Sequence, residues 1–398
     1  MPSIVIVGAG PVGLIAALGL ARRGFEVTVL DRGDGPIDAP RAANYHYPLM
    51  EVLDDVGVLD DLLAAGVRNT VNNIRVLATG ELLTTDNAKL AGHVPHPYNI
   101  SLGQGRLSSI VIEHLAAHPN ATLRWGADVV GVEQDARSAS AVLASVDGQP
   151  GERVTADWLL GADGGRSTVR SALGLGFDGF TWDDRFIATN IRFDFAAHGY
   201  GEANMVLDPE LGCIVALLEK PTPEQPTGLW RVTFSEDDSL PEEEIPARIT
   251  AFMQRFLPGD QRFELVAWSP YRMHQRSAET YRVGRVLLAG DAAHITNPTG
   301  ALGLTGGLLD IDVLTPALAA VAAGEAPESV LDDYSTSRRT KFLEHTSPFA
   351  SDFKRLVYNG DAQAQRAAFE AWKAQVSTEE GEIAFLLGIQ AVRSPQVV

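Results

Sequence analysis

The sequence predicts an α/β protein in which a parallel sheet with a helical crossover carries an inserted, mainly antiparallel sheet and is followed by a helical C-terminal segment. Two β-branched runs, Ser3–Val7 and Glu26–Leu30, predict the parallel sheet, because apolar residues at helical spacing lie between them at 14–22. Parallel strands need such a crossover, so this stretch is a βαβ unit. The insertion is predicted by short strand-like runs at residues 186–195, 202–218 and 228–234.

Other stretches complete the predicted order of elements. Residues 158–161 and 286–290 look like buried strands that lead into glycine turns. Residues 50–65 carry apolar residues at helical spacing with acidic residues between them, which is typical of a surface helix. From Leu331 onward the pattern is mostly helical. Pro316 falls within the helix that follows residue 306 and should kink that helix or end it early.

Composition narrows the class of protein. The chain has 398 residues, 45% of them hydrophobic, and a formal net charge of −19, which argues against a nucleic-acid partner. Cys213 is the one cysteine, so no disulfide can form within the chain and a cytoplasmic location is the default expectation. The N-terminus lacks the pattern of a signal peptide, and no membrane span is expected.

The first glycine-rich motif is GAGPVG at residues 8–13, between the first strand and the first helix. Gly8 permits a tight turn, Gly10 lets the backbone approach a pyrophosphate, and Gly13 allows close packing of the helix. Asp31 ends the next strand, about 20 residues on, where a carboxylate can accept hydrogen bonds from a ribose. The motif predicts a dinucleotide site but does not distinguish FAD from NAD.

Two later motifs carry a resemblance to a known family. They are GADGGRS at residues 161–167, and GDAAH at 290–294 running on through PTGALGLTG at 298–306. With the first motif, they resemble the three fingerprints of FAD-dependent aromatic hydroxylases of the p-hydroxybenzoate hydroxylase type, the group A flavoprotein monooxygenases. The similarity covers residues 3–339 in motif order and spacing, and the closing segment 333–339 also fits.

The resemblance implies a discontinuous Rossmann-like FAD-binding domain at residues 1–72, 97–178 and 265–345. Residues 73–96 and 179–264 would form the substrate-binding β-sheet domain, and residues 346–398 the C-terminal helical segment. Asp291 is similar to the acid that holds the ribityl chain, and Asp163 to one that shapes the pyrophosphate site through its backbone neighbours. The cofactor residues implied by motif and resemblance are Gly8, Gly10, Pro11, Val12, Gly13, Asp31, Arg32, Arg41, Gln104, Asp163, Asp291, Pro298, Gly303, Leu304 and Thr305.

The resemblance also implies the reaction. NADH or NADPH would reduce FAD, and O2 would then form a flavin C4a-hydroperoxide that hydroxylates an electron-rich ring, so no catalytic side chain is assigned. The amides of Gly303, Leu304 and Thr305 would face the flavin, where a helix N-terminus stabilises the negative charge of the reduced ring. Asp34 would repel a 2′-phosphate, which favours NADH.

The substrate is expected to be a small, neutral and hydrophobic aromatic molecule. The stretch at residues 211–218 is apolar where p-hydroxybenzoate hydroxylase places an arginine for a substrate carboxylate. The pocket candidates are Tyr45, His46, Met205, Cys213, Trp230, Tyr271 and His274.

Several alternatives stay open at this point. The protein could be a flavin-dependent reductase or epoxidase of an isoprenoid, or a flavin-binding protein without turnover; the halogenase signature is absent. His294 is interpreted as a packed residue near the cofactor, not a base, and His93 and His96 as no metal site. Residues 174–179 repeat the glycine spacing but are interpreted as a loop. The protein is expected to be a monomer or a homodimer.

Overall fold

The computed structural model describes residues 1–37, 39–40, 43–145, 151–259 and 262–398. Within them the chain forms twenty strands and eleven α-helices. The strands are β1 (Ser3–Val7), β2 (Glu26–Leu30), β3 (Asn44–Tyr45), β4 (Val67–Asn69), β5 (Val71–Val76), β6 (Leu82–Asp86), β7 (Asn99–Ser101), β8 (Ala121–Arg124), β9 (Val129–Gln134), β10 (Ala139–Leu143), β11 (Arg153–Ala156), β12 (Trp158–Gly161), β13 (Phe177–Arg192), β14 (Ala203–Leu207), β15 (Cys213–Glu219), β16 (Leu229–Asp237), β17 (Glu264–Ala278), β18 (Arg282–Val283), β19 (Val286–Leu288) and β20 (His294–Ile295). The helices are α1 (Pro11–Arg22), α2 (Met50–Asp55), α3 (Leu59–Ala65), α4 (Gln104–Leu115), α5 (Thr168–Ala172), α6 (Ile245–Phe256), α7 (Leu302–Ala323), α8 (Val330–Lys341), α9 (Ser347–Val357), α10 (Ala362–Gln375) and α11 (Glu379–Leu387).

A six-stranded sheet in the order β18-β19-β12-β1-β2-β8 forms the first layer. Its strands from β19 to β8 run parallel, and β18 pairs antiparallel at the edge. The apolar residues of β1 are fully buried, as expected for a central parallel strand covered on both faces. The predicted α/β fold with its β1-α1-β2 unit is therefore confirmed.

An eight-stranded sheet in the order β20-β17-β13-β16-β15-β14-β5-β6 forms the inserted layer. It is antiparallel except where β14 runs parallel to β5. One of its faces packs on α6 through residues such as Val215, Val232 and Ile249. β17 also belongs to this sheet. The sequence places the start of the last FAD-binding segment at residue 265, but β17 spans residues 264–278, so this strand of the inserted sheet continues past that boundary.

One local prediction was wrong, and one of the two effects expected of Pro316 does not occur. Residues 50–65 form two helices, α2 and α3, because Gly57 takes a left-handed φ of 77° between them. Pro316 does not end its helix, since α7 continues to Ala323. Proline has no N–H for the carbonyl of Asp312, and the Nε2 of Gln396 donates to that oxygen instead at 3.1 Å.

The chain after residue 345 is helical, as predicted, and α9 to α11 contact the inserted sheet and the loops near β6. Among the described residues, one helix has the length and composition to cross a membrane, namely α7, and most of it is buried inside the protein. Its apolar residues belong to the same core as β1 and α1, which explains its hydrophobicity.

Candidate active site

One cavity of about 1400 Å³ connects the two large sheets. All three sequence motifs contribute to its wall, although they are about 130 to 150 residues apart in the chain. The motif residues on the wall are Gly8, Gly10, Pro11 and Val12 from the first, 162–166 from the second, and Asp291, Pro298, Thr299, Gly300, Ala301, Gly303 and Leu304 from the third. The motifs therefore converge on one site.

The glycines of the first motif meet different surroundings. A Cβ on Gly8 or Gly13 would overlap backbone, the Ala162 carbonyl in one case and the Gly8 carbonyl in the other. Over Gly10, by contrast, no atom of the described residues lies within 4 Å of the Cβ position. The turn is thus closed against the protein and open over Gly10, as a pyrophosphate close to the backbone requires.

Asp31 lies on the cavity wall with its carboxylate fixed by backbone. Its oxygens accept hydrogen bonds from the amides of Ala9 and Gly33, each at 2.7 Å. The carboxylate lone pairs that are not used by these amides can accept a hydrogen bond from a ribose hydroxyl. Arg32 and Gln104 also line the cavity, whereas Arg41 lies outside the described residues.

Asp163 organises the second motif by capping α5. Its carboxylate accepts from Ser167 Oγ at 2.6 Å and from the amide of Thr168 at 2.7 Å. Arg170 then joins the second and third motifs, donating to the carbonyls of Gly165 and Ala292. The cap and this arginine fix the loop at residues 162–166 against the cavity.

A buried network supports the third motif from behind. Asp310 is fully buried, and it accepts from the Gly290 amide at 2.9 Å and from Arg338 Nε at 2.8 Å. His294 Nε2 lies 2.8 Å from the same carboxylate. Burial alone would raise the pKa of Asp310, but His294 and Arg338 outweigh it and hold the pKa below its usual value. His294 is absent from the cavity wall, in agreement with its interpretation as a packed residue.

The N-terminus of α7 points its first turn at the cavity. Ala301 caps this helix in a left-handed conformation with φ 54°. Gly303 and Leu304 line the cavity, but Thr305 is fully buried and its hydroxyl donates to the Ala301 carbonyl. The first amides of a helix have no partner within it and favour a negative charge nearby. The residues present therefore fit FAD.

The candidates for the substrate pocket divide into two groups. His46, Met205, Tyr271 and His274 line the cavity, whereas Tyr45, Cys213 and Trp230 do not. The expectation that Cys213 and Trp230 line the pocket is not met. Alternate residues of a strand face opposite sides of a sheet, and these two pack toward α6. Tyr45 is buried beneath the wall, and its hydroxyl has no hydrogen-bond partner among the described residues.

Sequence reasoning missed the true cavity face of the inserted sheet. That face carries Ile214 and Ala216 on β15, and Arg231 and Thr233 on β16. The signal was present in the sequence, since these residues alternate with the core residues. The C-terminal segment was also overlooked, and it supplies Phe349, Phe353, Phe385, Leu386 and Ile389 to the wall.

Arg231 places a positive charge on this wall. It is 5% exposed, and its Nε donates to Asn190 Oδ1 at 2.8 Å. Burial lowers the pKa of Arg231 to about 10, against a raising effect of Tyr271 and Tyr45. The guanidinium is still protonated at neutral pH, so the cavity favours an anionic or oxygen-rich group.

His46 contacts the loop that precedes α7. Its Nε2 lies 2.8 Å from the Gly300 carbonyl oxygen. Burial lowers the pKa of His46, although the hydrogen bond to Gly300 opposes this effect. The lowered pKa favours the neutral form of the imidazole.

The loop before α7, residues 296–301, is called the flavin loop below, and one side chain joins it to the C-terminal segment. Gln275 accepts from the Asn297 amide at 2.6 Å and from Thr296 Oγ1 at 2.7 Å. Its Nε2 donates to Ser347 Oγ and Ser351 Oγ of α9. The amide thus joins the residues just before Pro298 to the helix that closes the cavity.

Comparisons with known proteins agree with this geometry. Residues 2–345 match the family described as FAD binding domain. The chain is 46% identical to 6-hydroxy-3-succinoylpyridine 3-monooxygenase HspB of Pseudomonas putida strain S16, over 89% of each protein. It is 40% identical to para-nitrophenol 4-monooxygenase of Pseudomonas sp. strain WBC-3, over 100% of this chain and 98% of that protein.

Solved structures show the same fold. The crystal structure of p-nitrophenol 4-monooxygenase PnpA from Pseudomonas putida DLL-E4 superposes with a TM-score of 0.92 at 39% identity, covering 100% of both chains. A ternary complex of aklavinone-11 hydroxylase with FAD and aklavinone superposes with a TM-score of 0.76 at 29% identity, over 89% of this chain and 69% of that one.

Proposed function

This chain belongs to the FAD binding domain family, and we propose that it hydroxylates a small phenol-type ring at the carbon para to the ring hydroxyl. It is an FAD-dependent monooxygenase of aromatic substrates, and such chemistry uses NAD(P)H and O2. The finer proposal concerns the substrate and the position of attack. The observation that carries it is Arg231, a buried arginine on the cavity wall, where apolar residues such as Ile214 and Ala216 also lie.

The names of the two relatives support the position of attack. Para-nitrophenol and 6-hydroxy-3-succinoylpyridine are each a single ring with a hydroxyl. In both names the numbered position of attack is the ring position that carries the nitro or succinoyl group, para to the hydroxyl. A hydroxyl that loses its proton raises the electron density at its para carbon, so this position suits an electrophilic oxygen.

Arg231 changes the proposal for the polarity of the substrate. The expectation of a neutral substrate was based on residues 211–218, which contain no arginine. The neighbouring strand β16 supplies one, Arg231. A protonated guanidinium on the cavity wall attracts a phenolate, nitro or carboxylate oxygen. We therefore propose a ring that carries such an oxygen in addition to apolar surface.

The residues of the chain divide the work between them. FAD, when bound, supplies the hydride acceptor and the centre that activates O2. The glycine turn would hold its pyrophosphate, Asp31 would bind a ribose hydroxyl, and the amides at the start of α7 would favour negative charge on its ring. Met205, Ile214 and the aromatic residues of the C-terminal segment surround the substrate and exclude water.

A panel of ring compounds tests the proposal. The panel contains 4-nitrophenol, 6-hydroxy-3-succinoylpyridine, 4-hydroxybenzoate and nitrobenzene, which lacks the hydroxyl. We expect the hydroxylated compounds with a para oxygen-rich group to accelerate flavin reduction and O2 uptake, and 4-nitrophenol to release nitrite. Stimulation by nitrobenzene equal to that by 4-nitrophenol would contradict the role of the hydroxyl, and no stimulation by any phenol would refute the substrate class.

NADH is the proposed electron donor. Asp34 is exposed just beyond Asp31, at the end of β2, where it would repel a 2′-phosphate. Flavin reduction should therefore be faster with NADH than with NADPH at equal concentration. A cytoplasmic location, supported by a single cysteine that is buried, and a monomeric or homodimeric state remain part of the same proposal.

A further inference from the structure

We propose that His46 is the base that removes the proton from the substrate hydroxyl. This inference rests on the proposed function, because it assigns a proton acceptor to a phenol-type substrate. It concerns a side chain that both lines the cavity and contacts the flavin loop.

The hydrogen bond to Gly300 fixes the protonation of the imidazole. A backbone carbonyl can only accept, so the hydrogen in the 2.8 Å contact belongs to Nε2 of His46. A neutral imidazole carries one N–H, which leaves Nδ1 as the acceptor. The lone pair that a base needs is therefore on Nδ1.

Nδ1 of His46 is accessible from the cavity. It has no hydrogen-bond partner among the residues that the structure describes. It is also not sealed off from solvent by the surrounding atoms. The side chain is partly exposed, and the space that it faces is the cavity. A substrate hydroxyl in the cavity can reach this nitrogen without displacing a protein group.

The position of His46 suits the chemistry. Gly300 lies between Pro298 and the start of α7, where the flavin ring is expected, so His46 borders the region where ring and substrate meet. His274, also on the wall, has its Nδ1 2.8 Å from Thr181 Oγ1. His294 is buried behind the third motif against Asp310, away from the cavity.

The proton transfer balances within the site. The O–H bond of the phenol breaks, an N–H bond forms at Nδ1, and the electron pair stays on the ring oxygen. The imidazolium keeps its Nε2–H on the Gly300 carbonyl and holds the new proton until the product leaves. Phenolate and imidazolium attract each other strongly where water is excluded, and the positive charge of Arg231 also lies on the cavity wall.

The test measures ionisation of a bound phenol, with 4-nitrophenol as the probe because its phenolate absorbs visible light. Oxidised protein with FAD is titrated with the probe between mildly acidic and mildly alkaline pH, and difference spectra give the fraction ionised. In the wild type the bound probe should ionise at lower pH than the free probe. In His46→Gln, whose amide can still donate to Gly300, the ionisation should shift upward by about one pH unit or more, and kcat should fall roughly 100-fold.

Two controls separate a base from a structural residue. The affinity for FAD should stay within about twofold in His46→Gln, since the donor to Gly300 is kept. His93→Gln, at an exposed histidine away from the cavity, should leave the ionisation of the probe unchanged. A wild-type ionisation curve in His46→Gln, or a large loss of FAD affinity in that variant, would overturn the inference.

The outcome also distinguishes this inference from the proposed function. If phenols stimulate flavin reduction and His46→Gln ionises the probe as the wild type does, only the assignment of His46 fails. If no phenol binds or stimulates the wild-type protein, the proposed function fails and the base fails with it.

Discussion

Arg338 donates its Nε–H to Asp310 at 2.8 Å in a fully buried ion pair behind the flavin loop. The same arginine donates to the carbonyls of Gly306 and Val392, and Asp310 accepts from the Gly290 amide. Four segments of the chain thus meet at one pair of charges. A buried pair of this kind is costly to break from one side, because the remaining charge is left without compensation.

Asp310→Ala should lower the free energy of unfolding by about 3–5 kcal/mol, because Arg338 would stay buried and charged. Urea unfolding of the FAD-bound protein measures this change. Asp352→Ala is the matched control, since the Asp352–Arg355 pair is exposed and its removal should cost about 0–1 kcal/mol. Equal effects of the two substitutions would contradict the argument.

The same carboxylate predicts a dependence of stability on pH. Asp310 has a pKa below its ordinary value in the folded protein, so its contribution is present above the pKa of the unfolded chain and is lost as the pH falls through the folded value. The free energy of unfolding should therefore fall on acidification below about pH 4. Asp310→Asn, which cannot ionise, should show a flatter profile in this range; an equally steep profile would assign the acid sensitivity to other carboxylates.

Two glycines of the first motif should respond differently to a methyl group. Gly13→Ala places its Cβ against the Gly8 carbonyl, so it should destabilise the whole fold as well as weaken FAD binding. Gly10→Ala meets no atom of the described residues, so the apoprotein should keep its stability while FAD affinity falls at least tenfold. Thermal unfolding of the apoprotein and fluorescence titration with FAD separate the two effects. Loss of apoprotein stability in Gly10→Ala would show that its open surroundings do not matter.

Arg231→Met should raise the KM for 4-nitrophenol by roughly 30-fold or more, since a desolvated charged hydrogen bond is worth about 2–5 kcal/mol. Arg231→Lys keeps a positive charge but not the planar fork, so its KM should lie between those of the wild type and Arg231→Met. FAD affinity, measured alongside, should be unchanged in both variants. An unchanged KM in both variants would show that Arg231 does not bind the substrate.

Phe353 belongs to the aromatic part of the wall, and Phe353→Ala should admit water. The rate of NADH oxidation should then stay close to that of the wild type while less product and more hydrogen peroxide form. The ratio of peroxide to product in the presence of 4-nitrophenol measures this loss of coupling. Phe180→Ala, at an exposed aromatic residue off the cavity, should leave the ratio unchanged.

The cofactor half of the site could be predicted because its signals are local. Each motif contains the residues that shape its own turn, so Gly8 and Asp163 indicate their roles without knowledge of distant contacts. The substrate half depends on strand register, and a shift of one residue exchanges the two faces. Cys213 and Trp230 were therefore chosen although Ile214 and Arg231, their immediate neighbours, face the cavity.

Long-range compensation was also invisible in the sequence. Pro316 is a strong local signal for a helix end, yet α7 continues because Gln396, 80 positions later, provides the missing donor. The aromatic residues of the C-terminal segment look like ordinary helix residues until the fold brings them to the cavity. No local pattern reports either contact.

The contacts of Gln275 determine how far the chain can be shortened from its C-terminus. The family match ends at residue 345, yet Ser347 and Ser351 hold the amide that fixes Asn297, and Ser394 and the Val392 carbonyl hold Arg338. A truncated form ending at 345 would keep every fingerprint and lose the partners that keep the last of them in shape. The final fifty or so residues are therefore a working part of the flavin protein, and a minimal version of the enzyme cannot be obtained by trimming to its recognisable motifs.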